Sequence, residues 1–292
     1  MNEMTTPLVS AEWLARRLGA ADMLILDIRS AVDGGGRAAY EEAHVPGAIH
    51  SDYVRAGWRM TRGMVSGLLP ERAHLVALFS SLGLTPAHHV VIVSAGSGAG
   101  DFSAAARVYW TLKAAGHARL SLLDGGMAAW RADPSRPIER GPGSPPHPSP
   151  DYPVCFAPEL RATTEDVERA VAGNETVLLD SRAHGFFIGD SQSPQALRPG
   201  RLPGAIHLDH AQAFDPATKG LKPLSQLHTL YAGVPAGPVV NYCNTGHQAA
   251  TNWFILSELL TRPNVSLYDG SMSDWTQDDA HPVETGEARK PA

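Results

Sequence analysis

The sequence predicts an α/β protein made of two tandem copies of one domain, each a mainly parallel sheet flanked by helices. Three observations predict it: an ordered internal repeat, short apolar runs of strand length, and helical patterns alternating with those runs.

The repeat has four parts. Leu24-Ile-Leu-Asp27-Ile-Arg29-Ser30 matches Val177-Leu-Leu-Asp180-Ser-Arg182-Ala183, and His44-Val-Pro-Gly-Ala-Ile-His50 matches Arg201-Leu-Pro-Gly-Ala-Ile-His207. Val90-Val-Ile-Val-Ser94 matches Val239-Val-Asn-Tyr-Cys243, and Leu123-Asp-Gly-Gly-Met-Ala-Ala-Trp130 matches Tyr268-Asp-Gly-Ser-Met-Ser-Asp-Trp275. Four matches in one order mark a duplication with a period of about 150 residues, which is the size of a domain and not of a solenoid repeat. Residues 1–132 form the first expected domain and residues 159–292 the second. Between them, residues 133–158 are rich in proline, which removes backbone donors and fixes φ, so an extended, semi-rigid linker is expected there. The polar tail from Glu284 is expected to fray.

Met23–Leu26, Val90–Val93 and Leu120–Leu123 are continuous apolar segments, as expected of strands buried on both faces. Val177–Leu179, Val239–Tyr242 and Val265–Tyr268 are their counterparts. Phe102–Ala115 has helical spacing, with Ala105, Val108, Tyr109 and Leu112 on one side, and Gln248–Leu260 is the matching helix.

The 292 residues are 43% hydrophobic and 18% charged, enough for two buried cores and unlike a disordered chain. The net charge of -6 and the lack of clustered Lys and Arg argue against a nucleic-acid partner. Residues 1–18 carry no basic stretch followed by an apolar run, and nothing approaches the roughly 20 apolar residues of a membrane span. A cytoplasmic protein without a membrane partner is therefore expected. Two cysteines in unlike settings make a disulfide framework improbable.

Cys243 closes an apolar run and is followed by Asn244-Thr245-Gly246-His247-Gln248-Ala249, after which a helix begins. A loop of this kind turns backbone N–H groups inward, and the helix adds its unpaired N–H groups and the positive end of its dipole. A thiolate placed there is stabilised, and the same donors can hold a persulfide or the oxyanion of a sulfur donor. Gly246 permits a turn that a Cβ would obstruct. A buried cysteine is more often an inert small hydrophobe; the strand–loop–helix setting favours a reactive thiol for Cys243. Cys155, in the proline-rich stretch, keeps the inert reading.

With these segments together, the chain resembles the rhodanese superfamily over nearly its whole length, as two tandem rhodanese-like domains. The points of resemblance are the Cys243 loop, the Asp-x-Arg signature at Asp180 and Arg182, the Pro-Gly-Ala-Ile-His turns and the Tyr268-Asp-Gly-Ser segment. The resemblance implies a thiosulfate or 3-mercaptopyruvate sulfurtransferase. In it a Cys243 persulfide forms and is then discharged to cyanide or a thiol, a possible protein acceptor included, with no metal or organic cofactor. It also implies that the first copy is catalytically inactive. The position matching Cys243 is Ser94, read as structural, in what the sequence suggests is a longer glycine-rich loop, Ala95 to Gly100.

The chain departs from the family pattern at cationic positions. Thiosulfate-using members carry Arg and Lys where Asn244 and Thr245 stand, and mercaptopyruvate enzymes carry Gly, then Ser or Thr, then Gly-Val-Thr, which Thr245 and Gly246 resemble and Asn244 and His247 do not. The family's substrate-contacting Arg is matched by Phe186, followed by Phe187. Such losses remove charge-assisted hydrogen bonds to an anionic donor. His247, Arg198 and Arg201 are the candidates to replace them, His247 also as a proton donor. Asp180 is expected to accept hydrogen bonds from the loop. Arg182, like Arg29, recurs in both copies and reads as half of a structural ion pair. His50 and His207 read as structural for the same reason. Trp253 and Phe254 read as core. The histidines, 13 in all, show no zinc-type spacing with the cysteines.

Two other classes compete with this reading. Phosphatases on a rhodanese-like fold need a longer loop ending in a phosphate-clamping Arg, but six residues beyond Cys243 lies Ala249. A non-enzymatic sulfur carrier loaded by a partner protein would keep the thiol without efficient turnover.

Overall fold

Most of the apolar runs lie where the burial demanded by their composition can be met, inside two parallel sheets, and the run Val265–Leu267 forms a sheet edge. The structure is a computed structural model and describes residues 6–33, 35–173, 175–215 and 217–287. In chain order the first half gives β1 (Leu8–Val9), α1 (Ala11–Arg17), β2 (Met23–Asp27), α2 (Gly36–Glu42), β3 (Ile49–His50), β4 (Met60–Arg62) and β5 (Val65–Leu68). It continues with α3 (Arg72–Ser81), β6 (His89–Val93), α4 (Ala99–Ala114), β7 (Leu120–Leu123) and α5 (Gly126–Arg131). The second half gives α6 (Thr164–Val171), β8 (Val177–Asp180), α7 (His184–Ile188), β9 (Ile206–His207), α8 (Leu224–Tyr231), β10 (Val239–Tyr242), α9 (Ala249–Phe254), β11 (Val265–Leu267) and α10 (Ser271–Trp275).

Two compact units result. One comprises Met1–Trp58, Pro70–Ala157 and Asp215–Leu221; the other comprises Arg59–Leu69, Pro158–Phe214 and Lys222–Ala292. The first unit holds a five-stranded sheet in the order β1-β7-β6-β2-β3, and the second a four-stranded sheet in the order β11-β10-β8-β9. Every neighbouring pair in both sheets is parallel. The registers repeat as well. Asp27 faces Val93 between β2 and β6, and Asp180 faces Tyr242 between β8 and β10. Ser94 and Cys243 are therefore equivalent, each the first residue past a strand flanked on both sides.

Local sequence explains several boundaries. The Ser10 side chain caps α1 by accepting the Trp13 N–H. Thr163 and Asp166 form a reciprocal capping box at the start of α6, satisfying two N–H donors at the chain entry. In the first unit Leu14, Ile25, Val45, Val91, Val93 and Trp130 pack into one core; in the second Val167, Leu178, Leu202, Tyr242, Met272 and Trp275 do the same.

Three local readings are corrected. The helix expected from Phe102 begins at Ala99, so the loop after Ser94 is the short segment Ala95–Gly98 and not an extended one. The helix expected over Gln248–Leu260 is α only to Phe254 and continues as a π-helix over Ile255–Leu259. The strand expected to reach Tyr268 ends at Leu267.

The proline-rich segment belongs to the first unit as far as Ala157. Cys155 and Ala157 donate their N–H groups to Ala115 and Ala114, and Tyr152 and Val154 are buried. The hairpin β4–β5 is antiparallel, and though it comes from the first half of the sequence it belongs to the second unit.

Candidate functional site

Cys243 lies at the carboxyl end of β10, where open parallel sheets present their ligand sites. It is 1% exposed. The loop that follows is held from below by a single hydroxyl. Ser271 Oγ accepts the N–H of Cys243 at 3.0 Å and that of Gly246 at 3.1 Å, and donates to the Tyr268 carbonyl at 2.7 Å. The start of α10 adds two more anchors, for Met272 N–H donates to the Cys243 carbonyl and Ser273 N–H to that of Asn244. Ser271 has φ of +51°, a left-handed conformation that costs a side-chain-bearing residue energy. The first copy has Gly126 there, at φ of +55°, with Ser94 O 2.5 Å from where its Cβ would be. The second copy thus accepts backbone strain to place a hydroxyl beneath its loop.

The other side of the loop meets the Asp180–Arg182 pair. Arg182 Nη2 lies 2.5 Å from Asp180 Oδ2, and both residues are buried. Its remaining donors reach the Gly200 carbonyl at 2.8 Å and Asn244 Oδ1 at 3.2 Å. Burial disfavours the charge on Arg182. Its proton is nonetheless held above the ordinary arginine range, because Asp180, and then Tyr242 and Cys243, favour the cation. Arg182 therefore reaches the loop, and both carboxylate oxygens of Asp180 hold Arg182 in that place. In the first unit Arg29 makes the same pair with Asp27 but turns its spare donors to the Ala39 and Ala43 carbonyls. The pair is common to both copies, and the contact to the loop belongs to the second alone.

The remaining expected residues separate clearly. Asn244, Thr245, His247 and Gln248 are half-buried in the loop, Gly246 and Ala249 are buried, and the His247 carbonyl accepts the Ala250 N–H. Arg201 pairs with Glu284 at 3.2 Å and covers the Phe187 ring, while Arg198 donates to the carbonyls of Asp278 and Asp279. Both are thus engaged with the C-terminal segment. His50 and His207 make the same hydrogen bond in both copies, to the carbonyls of Arg29 and Arg182. Trp253 is buried and donates to the Val265 carbonyl. Cys155 is exposed.

Ser94 gives way to a different arrangement. The Asp101 carboxylate, 3% exposed, accepts the N–H groups of Ala95 at 2.9 Å, Gly96 at 2.6 Å and Ser97 at 3.2 Å. Burial pushes its proton affinity up, against the pull of those same amides. The nest of the first copy is therefore occupied by the protein's own anion.

The family described as the rhodanese-like domain matches this chain twice, over residues 10–133 and 163–278. The chain belongs to the rhodanese family. Among its relatives is the thiosulfate sulfurtransferase of Corynebacterium glutamicum, 32% identical over 97% of this chain and 92% of that protein. The thiosulfate sulfurtransferase of Pseudomonas aeruginosa is 31% identical over 93% of this chain and 94% of its own length. The 3-mercaptopyruvate sulfurtransferase of Rattus norvegicus is also 31% identical, over 92% and 91%. Among solved structures, the anaerobic ergothioneine biosynthesis enzyme of Chlorobium limicola, in complex with trimethyl histidine, shares the fold with a TM-score of 0.80 at 22% identity, over 97% of this chain and 71% of that one.

Sequence reasoning missed Ser271, Asp101 and the β4–β5 hairpin. The first was visible as the one Gly-to-Ser difference between Asp124-Gly-Gly and Asp269-Gly-Ser. The second was a lone acid beside a glycine-rich loop. The third carries no signal, because nothing local in residues 60–68 reports a partner near residue 245. Among the described residues no group of His, Cys, Asp and Glu could hold a metal ion, and no helix is long and apolar enough to cross a membrane.

Proposed function

We propose that this rhodanese-family sulfurtransferase moves a sulfane sulfur from thiosulfate or 3-mercaptopyruvate to a thiophilic acceptor, through a persulfide on Cys243. One observation supports the assignment to Cys243 above the rest: this thiol stands at the mouth of a loop whose backbone is clamped by Ser271 and whose flank carries the Arg182 cation. In the first half-reaction the Cys243 thiolate attacks the outer sulfur of thiosulfate. A new S–S bond forms, the donor's S–S bond breaks, and sulfite leaves with the electron pair. With 3-mercaptopyruvate the C–S bond breaks, and the carbon takes a proton to give pyruvate. In the second, cyanide or a thiolate, that of a protein included, attacks the outer persulfide sulfur and regenerates Cys243. Loop amides and the Arg182 charge serve the negative charge that each step develops. Asn244, Thr245, Gly246, His247, Gln248 and Ala249 line the donor, and Asp180 keeps Arg182 in place.

The second unit is assigned catalysis and the first a scaffold role, supported by Asp101 standing in its nest. Two unpaired cysteines, one of them exposed, fit a reducing compartment such as the cytoplasm.

Intact mass spectrometry after mixing reduced protein with each donor tests this reading. A gain of one sulfur, reversed by cyanide and lost in Cys243→Ser, is expected, and the faster-loading donor names the substrate. A persulfide that survives Cys243→Ser would overturn the assignment.

A further inference from the structure

We propose that the hairpin β4–β5 positions the Cys243 loop, and that Gly67 is the residue through which it acts. This rests on the reading of Cys243 as the sulfur-carrying thiol. Gly67 is buried with φ of +90°, and a Cβ there would sit 2.2 Å from the Thr245 carbonyl oxygen and 2.9 Å from the Thr245 carbonyl carbon. The loop backbone occupies the volume that any side chain at position 67 would need. Two hydrogen bonds hold the hairpin in that place. The Ser66 N–H donates to Ser273 Oγ at 3.1 Å, and the Leu69 N–H donates to the buried carboxylate of Asp269, which pairs with Arg161 at 2.9 Å.

Peptide planarity carries these contacts to the loop's donors. A C=O and the following N–H lie in one plane and point opposite ways, so fixing one fixes the other. The Thr245–Gly246 peptide has its oxygen against Gly67 and its N–H on Ser271 Oγ. The Asn244 carbonyl accepts from Ser273 N–H, and Ser273 Oγ takes the Ser66 N–H, so one serine ties the hairpin to the loop. Two successive peptide planes beside the thiol are thus set by a segment about 180 residues earlier in the chain. A methyl group on residue 67 displaces the Thr245 carbonyl and tilts the Gly246 N–H off its acceptor. Displacements near one ångström at reacting groups cost up to about a hundredfold in rate.

The hairpin supplies its own control. Gly63 also has a left-handed φ, +59°, but no atom lies within 4 Å of its missing Cβ. Gly67→Ala and Gly63→Ala therefore impose the same kind of backbone strain, and only the first touches the loop. Persulfide loading is followed by mass spectrometry under single-turnover conditions, alongside the urea midpoint of each variant. Both substitutions are expected to lower the midpoint. Gly67→Ala is expected to load about tenfold or more slowly per folded molecule, while Gly63→Ala loads at the wild-type rate. Ser273→Ala, which removes the acceptor of the Ser66 N–H, decides the matter if Gly67→Ala does not fold, and it is expected to load several-fold slowly. Wild-type loading in Gly67→Ala, or in Ser273→Ala where only that variant folds, overturns the proposal. Loading that persists in Cys243→Ser overturns the reading of the thiol instead.

Discussion

Ser271 invites a substitution pair whose order inverts the usual one. Ser271→Ala removes the hydroxyl that accepts the Cys243 and Gly246 N–H groups but keeps a Cβ at φ of +51°. Two buried donors left without partners cost about 1–3 kcal/mol each. Ser271→Gly loses the same hydrogen bonds but relieves a left-handed strain of about 1–2 kcal/mol. At an ordinary position alanine is the more stabilising of the two by about 0.5–1 kcal/mol. Here glycine is expected to be the more stable variant by about 1 kcal/mol, with both below wild type. The cysteines provide the assay. Cys243 is 1% exposed and Cys155 is exposed, so pulsed alkylation across a urea series, read on the two peptides, reports opening of the second unit against an internal reference. Both variants are also expected to load sulfur slowly, because the Gly246 amide loses its anchor. An alanine variant as resistant to urea as the glycine variant would refute the strain argument, and unimpaired loading in both would refute the hydroxyl's part in holding the loop.

Other outcomes follow from the first unit. His89 and His117 are 2% and 1% exposed, and burial, reinforced for His89 by Arg119, depresses each to about 4. Their unfolded values are near 6.5, so between pH 6.5 and 4 the unfolded chain binds protons that the folded chain refuses. The stability they confer is complete above pH 6.5 and is lost as pH falls, by roughly 2 kcal/mol per group at pH 5. The double variant His89→Gln, His117→Gln should flatten the urea midpoint between pH 7.5 and 5 (an experimental window of about 2.5 units), and an unchanged slope would count against buried neutral imidazoles. Asp101→Ala empties three amide partners and is expected to destabilise the first unit by about 2–4 kcal/mol, seen as faster hydrogen exchange over residues 94–101. Unaltered exchange there would show that the carboxylate is not what holds that loop.

Much of this was legible in the sequence. Apolar runs such as Val90–Val93 announce buried parallel strands because no polar residue interrupts them, and the repeat makes each copy a check on the other. Cys243 could be singled out because a strand, a glycine-containing turn and a helix meet around it. What could not be read depends on distant or compensating choices. Arg198 and Arg201 look like free cations in sequence, yet the C-terminal segment claims both. The repeated Asp-x-Arg pair conceals that one copy alone aims a guanidinium at the loop. The length of the loop after Ser94 turned on whether Ala99 and Gly100 join a helix, which weak local propensity leaves to tertiary packing. Gly67 matters through a peptide group far along the chain, and periodicity carries no trace of such a contact.

The carboxylate in the nest of the first copy also bears on how duplicated chemistry can be regained. Ser94→Cys alone would set a thiol beside amides that Asp101 already holds, with a like charge opposing its ionisation. Asp101→Ala alone would expose donors with nothing to receive them. Each step is unfavourable without the other, so a stabilised thiolate at position 94 needs both substitutions together. The two halves therefore answer differently to the same change: a thiol after the first copy's strand meets amides already held by an internal anion.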